Sequence, residues 1–303
     1  MSSNLEITRK ACVVGWPIAH SRSPIIHNFW LTHLGLAGSY ESVAVTPPDF
    51  AAFAHDLAAN GFVGANVTIP HKQTAFEVCG KVTPTAASLG AVNTLWLEHG
   101  ALCGDNTDVA GFLAALDEEA PGWDRDSQSL EQDAGGKADS TSPHPAPGHA
   151  VVLGAGGAAR AVVHALRHRG KRVLLANRTR ARAESLATDA GTGVEVYDWA
   201  RLPSALKGAS LLVNTTSLGM QGHPALDIDL APLPPHAVVN DIVYFPLETA
   251  LLRAAKSRGL RTVSGVGMLL HQAVPGFERW FGVRPSVTPE LRGLVEADVL
   301  KSL

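Results

Sequence analysis

The chain has 303 residues, with 25 lysines and arginines against 28 aspartates and glutamates, so its net charge is −3 at pH 7. At roughly 150 residues per domain, this length favours two domains, each large enough to bury its own core. The apolar fraction of 46% argues against a disordered chain, and the balanced charge argues against a basic surface for nucleic acid. We therefore expect a two-domain globular protein that does not bind nucleic acid.

Three features of the sequence predict a soluble, cytoplasmic protein with no membrane association. No apolar run approaches the ~18 residues that span a bilayer. The N-terminal segment MSSNLEITRK is polar and lacks the apolar centre of a secretory signal. The cysteines Cys12, Cys79 and Cys103 form neither a close pair nor a metal-ligand spacing, which favours a reducing compartment and predicts no metal site.

Short apolar runs alternate with helical patterns in the first third of the chain, which predicts an α/β domain. The predicted strands are Ala11–Gly15, Tyr40–Val45 and Phe62–Ile69, followed by a hairpin of Val92–Leu97 and Ala101–Cys103 that turns at His99-Gly100. The predicted helices are Pro24–Leu34 and Pro48–Ala59. We expect Ser23 to be the N-cap of the first helix, with Pro24 at its first position.

Residues 121–149 are rich in Gly, Ser, Asp and Pro and carry little apolar periodicity. Such a stretch buries too little surface to offset the entropy of ordering it, so it is predicted to be a surface loop. The helix predicted before it, Thr107–Glu119, already fits the second domain.

A βαβ unit follows the polar loop, and further strands and helices continue to the end of the chain. The predicted strands are Ala150–Leu153, Arg172–Ala176, Val194–Tyr197, Ser210–Val213, Val238–Ile242 and Arg261–Ser264. The predicted helices are Gly157–Arg169, ended by Gly170, then Leu247–Arg258, Met268–Phe281 and Pro289–Leu300.

A glycine turn joins the first strand and helix of this βαβ unit. It has the pattern G-x-G-x-x-A, formed by Gly154, Gly156 and Ala159. The first glycine permits a tight turn, the second lets the backbone approach a pyrophosphate, and the helix N-terminus offers unpaired N–H groups to the phosphate charge. The alternative is an ordinary strand–helix turn; the flanking strands favour a dinucleotide site.

The residues after the second strand of the unit indicate which dinucleotide binds. An NAD site usually carries Asp or Glu there for the ribose 2′-hydroxyl. In this chain no acidic residue occurs between the end of the strand at Ala176 and Glu184. Arg178 and Arg182 instead suit a 2′-phosphate, because a guanidinium matches phosphate geometry bidentately. The alternative is that both are solvated arginines at a helix start. The pattern predicts NADP.

Small polar residues beside glycine or proline mark four segments of the first domain: Gly15–Pro24, Gly64–Lys72, Gly90–Thr94 and Gly104–Asp108. Such groups suit a polyhydroxylated or carboxylated small molecule. Together with Asn214–Ser217, Asp241–Tyr244 and Gly265–Gln272, these segments closely resemble the shikimate dehydrogenase family over most of the chain. The chain departs from the family at Val109, where glycine is usual, and in its longer polar loop.

The resemblance implies a role for each matching residue. Ser21 and Ser23 match the serines that bind the shikimate carboxylate. The residues that match those holding or lining the substrate ring are Thr68, Asn93, Tyr244 and Gln272. Lys72 and Asp108 match the catalytic pair. The positions that match NADP contacts are Gly154, Ala155, Gly156, Gly157, Ala158, Asn177, Arg178, Thr179 and Arg182, with Gly265 and Met268 near the nicotinamide.

The resemblance also implies the fold: an α/β substrate domain and a Rossmann-type NADP domain with a doubly wound parallel sheet, with the active-site cleft between them. We expect residues 1–106 with 266–303 to form the substrate domain and residues 107–265 the NADP domain. The implied reaction is the reversible NADPH-dependent reduction of 3-dehydroshikimate to shikimate in chorismate and aromatic amino-acid biosynthesis. A homodimer is the expected assembly.

Alcohol oxidation removes a hydride from carbon and a proton from oxygen. We hypothesise that Lys72 hydrogen-bonds the reacting oxygen and that Asp108 orients Lys72, leaving open which of them accepts the proton. Taken singly, Ser23 fits an N-cap, Lys72 a solvated charge and Asp108 a first-turn helix acid. Their occurrence beside the cofactor motif favours an active site.

Three other functions compete with this interpretation. A quinate/shikimate dehydrogenase would accept quinate and often NAD, which the arginine pair disfavours. A non-catalytic NADP-binding sensor would not need Lys72 with Asp108. A methylene-tetrahydrofolate dehydrogenase-like enzyme shares the architecture but leaves the paired serines unexplained.

Overall fold

The computed structural model of the chain describes residues 8–124 and 148–302, so residues 125–147 of the predicted polar loop lie outside the described part. The chain divides into two compact units. The first is Met1–Asp108 with Leu270–Val295, and the second is Val109–Leu269 with Glu296–Leu303. Compared with the expected bounds, residues 107 and 108 therefore cluster with the first unit, and residues 266–269 and 296–303 with the second. No helix in the described ranges is long and apolar enough to cross a membrane.

A six-stranded mixed sheet forms the centre of the first unit. Its strands are β1 Arg9–Gly15, β2 Gly38–Ala44, β3 Gly64–Val67, β4 Lys81–Val82, β5 Thr94–Glu98 and β6 Ala101–Asp105. Their order is β2-β1-β3-β5-β6-β4. Strands β1, β2 and β3 run parallel, β5 runs antiparallel to both β3 and β6, and β4 pairs parallel with β6.

The helices of the first unit follow these strands. They are α1 Ser23–His33, α2 Phe50–His55, α3 Lys72–Val78 and α4 Pro84–Leu89, with α11 Ala273–Phe281 returning near the end of the chain. Cys12, Val14 and Phe50 belong to one apolar core of this sheet. Gly64 in β3 points to the other face of the sheet, because side chains alternate along a strand. A Cβ on Gly64 would lie 1.9 Å from Nε1 of Trp280 in α11, so only glycine lets that helix pack there.

The predicted hairpin is confirmed, because β5 and β6 pair in register around His99 and Gly100. Both turn residues have positive φ, 50° and 79°, as a two-residue hairpin turn requires.

Two local predictions for the first unit are wrong, and two short helices were missed. The N-cap of α1 is Arg22, and Ser23 is the first helical residue, because its backbone N–H is held by Ser21 Oγ at 3.3 Å. The helix predicted over Pro48–Ala59 is a 3₁₀ turn followed by the short α2, which ends where the chain turns toward Gly61 with φ of 83°. The short helices α3 and α4 were not predicted, since they begin inside polar segments.

The second unit contains six strands that all run parallel. They are β7 His149–Leu153, β8 Val173–Ala176, β9 Val194–Tyr197, β10 Ala209–Asn214, β11 Val238–Asp241 and β12 Arg261–Ser264. Their order is β12-β11-β10-β7-β8-β9, which is the doubly wound order of dinucleotide-binding folds. Every residue of β7, β8, β10 and β11 is buried, as is typical of a parallel sheet covered on both faces.

The remaining helices are α5 Asp108–Glu119, α6 Gly157–His168, α7 Arg180–Ala190, α8 Leu202–Leu206, α9 Ala250–Ser257, α10 Gly265–His271 and α12 Pro289–Lys301. The single helix predicted over Met268–Phe281 is wrong, because α10 and α11 are separated at Gln272. Pro275 explains the interruption. It has no N–H to donate to the carbonyl of residue 271, and its ring would collide with that carbonyl in a continuous helix.

Candidate active site

Lys72 and Asp108 form an ion pair in the first unit. Lys72 is the first residue of α3 and Asp108 the first residue of α5. Nζ of Lys72 lies 2.5 Å from Oδ2 of Asp108, and the two side chains are 28% and 11% exposed. The carboxylate is favourably placed at a helix N-terminus, and the lysine remains partly open to solvent. An ammonium group is thus held at a fixed place while part of it stays accessible.

Asn93 fixes the second oxygen of the same carboxylate. Its Nδ2 donates to Oδ1 of Asp108 at 2.8 Å. Its Oδ1 accepts from the backbone N–H of Thr107 at 2.8 Å, from the Thr107 hydroxyl at 3.1 Å and from the Thr94 hydroxyl at 2.9 Å. These donors fix the orientation of the amide, and one N–H of Nδ2 is left over for a ligand oxygen.

The polar network continues into the core of the unit. Nδ2 of Asn66 donates to the Thr94 hydroxyl at 3.3 Å, and the Tyr40 hydroxyl donates to Oδ1 of Asn66 at 2.6 Å. The ring of His27 stacks on Tyr40 with a centroid distance of 4.0 Å. Burial lowers the pKa of His27 to about 3, so this imidazole is neutral. Asn66, Thr94 and Tyr40 were not among the predicted site residues.

The residues predicted to bind substrate lie in both units. Ser21 and Ser23 are adjacent, joined by the hydrogen bond that starts α1. The Thr68 methyl packs over the end of β1, because a Cβ on Gly15 would lie 2.5 Å from Thr68 Cγ2. Gln272 is half-buried in the first unit, at the start of α11. Tyr244 is half-buried in the second unit, after β11.

Val109 follows Asp108 in the first turn of α5, and its side chain is buried with 9% exposure. The bonds from Lys72 and Asn93 to Asp108 both form beside it. A branched side chain at this position is therefore compatible with the ordered carboxylate.

The glycine turn lies between β7 and α6 in the second unit. Gly154 has φ of 108°, which side chains disfavour, and a Cβ there would also lie 2.6 Å from Oγ1 of Thr215. Both the backbone conformation and the lack of space therefore require glycine. No atom of residues 8–124 or 148–302 would lie within 4 Å of a Cβ on Gly156 or Gly157. The start of α6 is thus open on this side, and its first backbone N–H groups suit an anion. The neighbouring positions Ala155 and Ala158 complete the turn.

The segment after β8 presents three arginines. Nε of Arg180 pairs with Glu184 at 2.8 Å. Within the described ranges, neither Arg178 nor Arg182 has a carboxylate partner, and both are exposed. Nδ2 of Asn177 donates to the carbonyl of Thr179 at 2.8 Å, which closes the turn that carries these arginines. Two guanidinium groups are therefore available for a phosphate.

Gly265 and Met268 lie in α10, in the second unit. A Cβ on Gly265 would lie 2.2 Å from the carbonyl oxygen of Ile242, so the helix start packs directly on the backbone after β11. Met268 is half-buried one turn later.

Three family models match the chain. Residues 13–95 match the shikimate dehydrogenase substrate binding domain, residues 138–220 match shikimate / quinate 5-dehydrogenase, and residues 265–289 match the shikimate 5′-dehydrogenase C-terminal domain. The shikimate dehydrogenase (NADP(+)) of Methylocella silvestris is 64% identical over 97% of this chain and 98% of its own. That of Rhodopseudomonas palustris is 54% identical over 96% of this chain and 97% of its own.

Solved structures show the same fold. Shikimate 5-dehydrogenase of Thermus thermophilus, in complex with NADP(H) and shikimate, has a TM-score of 0.77 and 34% identity, covering 98% of this chain and 100% of its own. Quinate dehydrogenase of Corynebacterium glutamicum, in complex with NAD, has a TM-score of 0.81 and 28% identity, covering 98% and 99%. On this near-complete similarity in sequence and fold, the chain belongs to the shikimate dehydrogenase family.

Proposed function

We propose that the chain catalyses the reversible NADP-dependent interconversion of shikimate and 3-dehydroshikimate in aromatic amino-acid biosynthesis. The observation that carries this proposal is the Lys72–Asp108 pair, whose nitrogen and oxygen lie 2.5 Å apart in a chain 64% identical to an NADP-dependent shikimate dehydrogenase. Such a pair supplies a positioned proton donor and acceptor, which alcohol–ketone chemistry needs.

Lys72 acts on the reacting oxygen of the substrate. One of its three N–H groups is directed at Asp108, which leaves the others for that oxygen. During ketone reduction the ammonium stabilises the developing alkoxide and donates a proton to it. Asp108, held by Asn93, keeps the ammonium oriented. When bound, NADP accepts or returns the hydride.

Substrate recognition is proposed for six further polar residues. The remaining N–H of Asn93 donates to a ring hydroxyl oxygen, because its carbonyl oxygen is already occupied by the two threonines. Ser21 and Ser23 bind the carboxylate, and Thr68, Tyr244 and Gln272 complete the site. The family matches over residues 13–95 and 265–289 support these assignments except that of Tyr244, and the Asn93 variant below tests the role of Asn93.

The cofactor site is proposed for the glycine turn and the arginines after β8. Gly154, Ala155, Gly156, Gly157 and Ala158 provide the backbone for the pyrophosphate, and Asn177 and Thr179 shape the following turn. Arg178 and Arg182 bind the 2′-phosphate, supported by their exposure and by the pairing of Arg180 with Glu184 instead. Gly265 and Met268 lie near the nicotinamide in this proposal.

The organisation of the protein is likewise proposed. Residues 1–106 with 266–303 bind substrate and residues 107–265 bind NADP, which limited proteolysis with and without each ligand tests. We also propose a homodimer in the cytoplasm; the family includes both monomers and dimers. Light scattering of the purified protein and fractionation of the source cells test these two statements.

Quinate with NAD is the second candidate pairing, because a quinate dehydrogenase bound to NAD shares the fold at a TM-score of 0.81. The test is the absorbance of reduced nicotinamide with shikimate or quinate and NADP or NAD, in all four pairings. The proposal expects the highest kcat/KM with shikimate and NADP. Comparable values with quinate or NAD favour the broader enzyme, and no turnover in any pairing overturns the proposal.

A further inference from the structure

Three strands of the second sheet end side by side at the edge that carries the glycine turn. In the sheet register, Asn214 at the end of β10 is paired with Leu153 of β7 on one side and with Asp241 of β11 on the other. All three residues are fully buried. Asn214 therefore lies between Asp241 and Leu153, the residue that precedes Gly154.

The side chain of Asn214 makes four hydrogen bonds. Its Nδ2 donates to Oδ1 of Asp241 at 2.9 Å and to the carbonyl of Leu218 at 3.1 Å. Its Oδ1 accepts from the backbone N–H of Thr216 at 3.0 Å and from the Thr216 hydroxyl at 2.7 Å. Both amide hydrogens and both lone pairs are used, so Asn214 is committed to shaping segment 215–218 and has no capacity for a ligand.

Thr215 and Thr216, the first two residues of this segment, line the glycine turn at Gly154. Thr215 donates to the carbonyl of Leu153 twice, from its backbone at 2.8 Å and from its hydroxyl at 2.6 Å. A Cβ on Gly154 would lie 2.6 Å from Thr215 Oγ1 and 3.1 Å from Thr216 Cγ2. Gly154 thus packs directly against Thr215 and Thr216, which leaves no room there for a side chain.

Asp241, the last residue of the neighbouring strand β11, holds the side chain of Asn214 in place. Its carboxylate accepts from Asn214, from the backbone N–H of Val243 at 3.1 Å and from the Thr249 hydroxyl at 2.7 Å. No cation pairs with it within the described ranges, and burial raises its pKa while the three hydrogen bonds oppose that rise. A carboxylate buried without a cation is costly, so its place calls for a reason beyond stability.

We propose that Asp241 is a positioning residue for NADP: through Asn214 it holds Thr215 and Thr216 as a rigid wall of the glycine turn. The inference rests on the proposed function only in that NADP binds at this turn. Asp241 touches neither cofactor nor substrate in this proposal. Its loss loosens the turn, weakens cofactor binding and leaves the Lys72–Asp108 chemistry of the first unit intact.

Four variants separate positioning from general stability. Asp241→Ala removes all three acceptor contacts, and Asn214→Ala removes the link to Thr216 while leaving the carboxylate. Asp241→Asn keeps an oxygen that can accept from Asn214 and Val243, so it is the conservative rescue. Thr249→Val is the matched control, because it breaks a bond to Asp241 and removes the N-cap of α9 without touching Asn214.

The measurement is the dissociation constant of NADPH, from its own fluorescence, for each purified full-length variant without substrate. Asp241→Ala and Asn214→Ala are expected to raise it about tenfold, the usual size for a lost hydrogen bond that orients a ligand-binding group. Asp241→Asn and Thr249→Val should stay within twofold of the unmodified chain. At saturating NADP, KM for shikimate and kcat should stay within twofold in all four.

Two results overturn the inference. One is that Asn214→Ala binds NADPH within twofold of the unmodified chain. This result refutes the inference even if Asp241→Ala does not fold. The other is an equal loss of affinity in Thr249→Val and Asn214→Ala, which would mean that lowered stability alone is responsible. Because NADPH binding is measured without shikimate, a chain that binds NADPH but oxidises no shikimate refutes the proposed function and leaves this test standing.

Discussion

Asn93 donates a hydrogen bond of 2.8 Å from its side-chain amide to Oδ1 of Asp108. The other carboxylate oxygen accepts from Lys72, so each oxygen of Asp108 has its own donor. The Asn93 amide is itself held by Thr107 and Thr94. The orientation of the ammonium therefore depends on a chain of buried polar groups that reaches into the core of the unit.

Asn93→Ala is expected to lower kcat/KM for shikimate by about 10- to 100-fold, because Asp108 loses a donor and the N–H of Thr107 loses its acceptor. The melting temperature should fall as well. Steady-state kinetics and thermal unfolding measure both effects. Asn60→Ala, at an exposed position of the same unit, is the control and should change neither. Equal kinetics in the two variants would contradict the role of Asn93.

The arginine pair predicts a cofactor-specific effect. Arg178→Ala and Arg182→Ala should each raise KM for NADP by about tenfold or more, since each removes a charged contact to the 2′-phosphate. KM for NAD, which lacks that phosphate, should hardly change. Arg180→Ala is the matched control, because this guanidinium pairs with Glu184 at 2.8 Å. A larger effect in Arg180→Ala than in the other two would reverse the assignment.

Gly156→Ala separates cofactor binding from folding. A Cβ there meets no described residue within 4 Å, so the melting temperature should be unchanged. NADPH binding should weaken at least tenfold, because the methyl group occupies the space that the backbone leaves for the pyrophosphate. Gly293→Ala, also without a neighbour within 4 Å, is the control and should bind NADPH normally. Undiminished NADPH binding in Gly156→Ala would place the pyrophosphate elsewhere.

His27 predicts a pH dependence of stability. Burial lowers its pKa from the usual 6.5 to about 3, so between these pH values the unfolded chain binds a proton that the folded chain does not. The free energy of unfolding should therefore fall with falling pH, by about 1.4 kcal/mol per pH unit from this residue. The contribution is complete above pH 6.5. Urea unfolding at pH 7 and pH 5 measures the difference.

His27→Phe removes this titration. Neither ring nitrogen of His27 makes a hydrogen bond of normal geometry in the described part of the chain, and the Asn66 side chain beside it is the smaller of the two influences on its pKa, so the variant loses little at pH 7. The pH 5 to pH 7 difference should shrink by about 2 kcal/mol relative to the unmodified chain, allowing for the partial titration near pH 6.5. His55→Phe, at an exposed position, should leave the difference unchanged. An undiminished difference in His27→Phe would show that another group is responsible.

The strands of the second unit could be predicted closely from the sequence. Val194–Tyr197 and Arg261–Ser264 match β9 and β12 residue for residue, and β7 and β10 differ by one residue at their ends. The buried strands β7 and β10 are largely apolar runs, which local patterns identify well. The edge strands β9 and β12 are partly exposed, and their β-branched residues favour a strand. Helix α3 was missed because it starts at Lys72, inside a polar segment that shows no apolar face.

The site could be predicted only in part. The motifs identified which residues to consider, but not that Asn93 is oriented by Thr107, which lies 14 positions away. The bond between Asn214 and Asp241 likewise spans 27 positions and depends on the register of β10 and β11. Contacts across strands are set by sheet register, which one sequence without its fold does not contain.

The most direct test of the account is shikimate-dependent reduction of NADP by the purified chain and by Lys72→Ala. The account predicts turnover by the unmodified chain and a loss of about 10²- to 10⁴-fold in kcat for Lys72→Ala, with NADPH binding unchanged. Lys81→Ala, at an exposed lysine of the same unit, should retain full activity. Folded Lys72→Ala that oxidises shikimate as fast as the unmodified chain would contradict the assignment of Lys72 to the reaction.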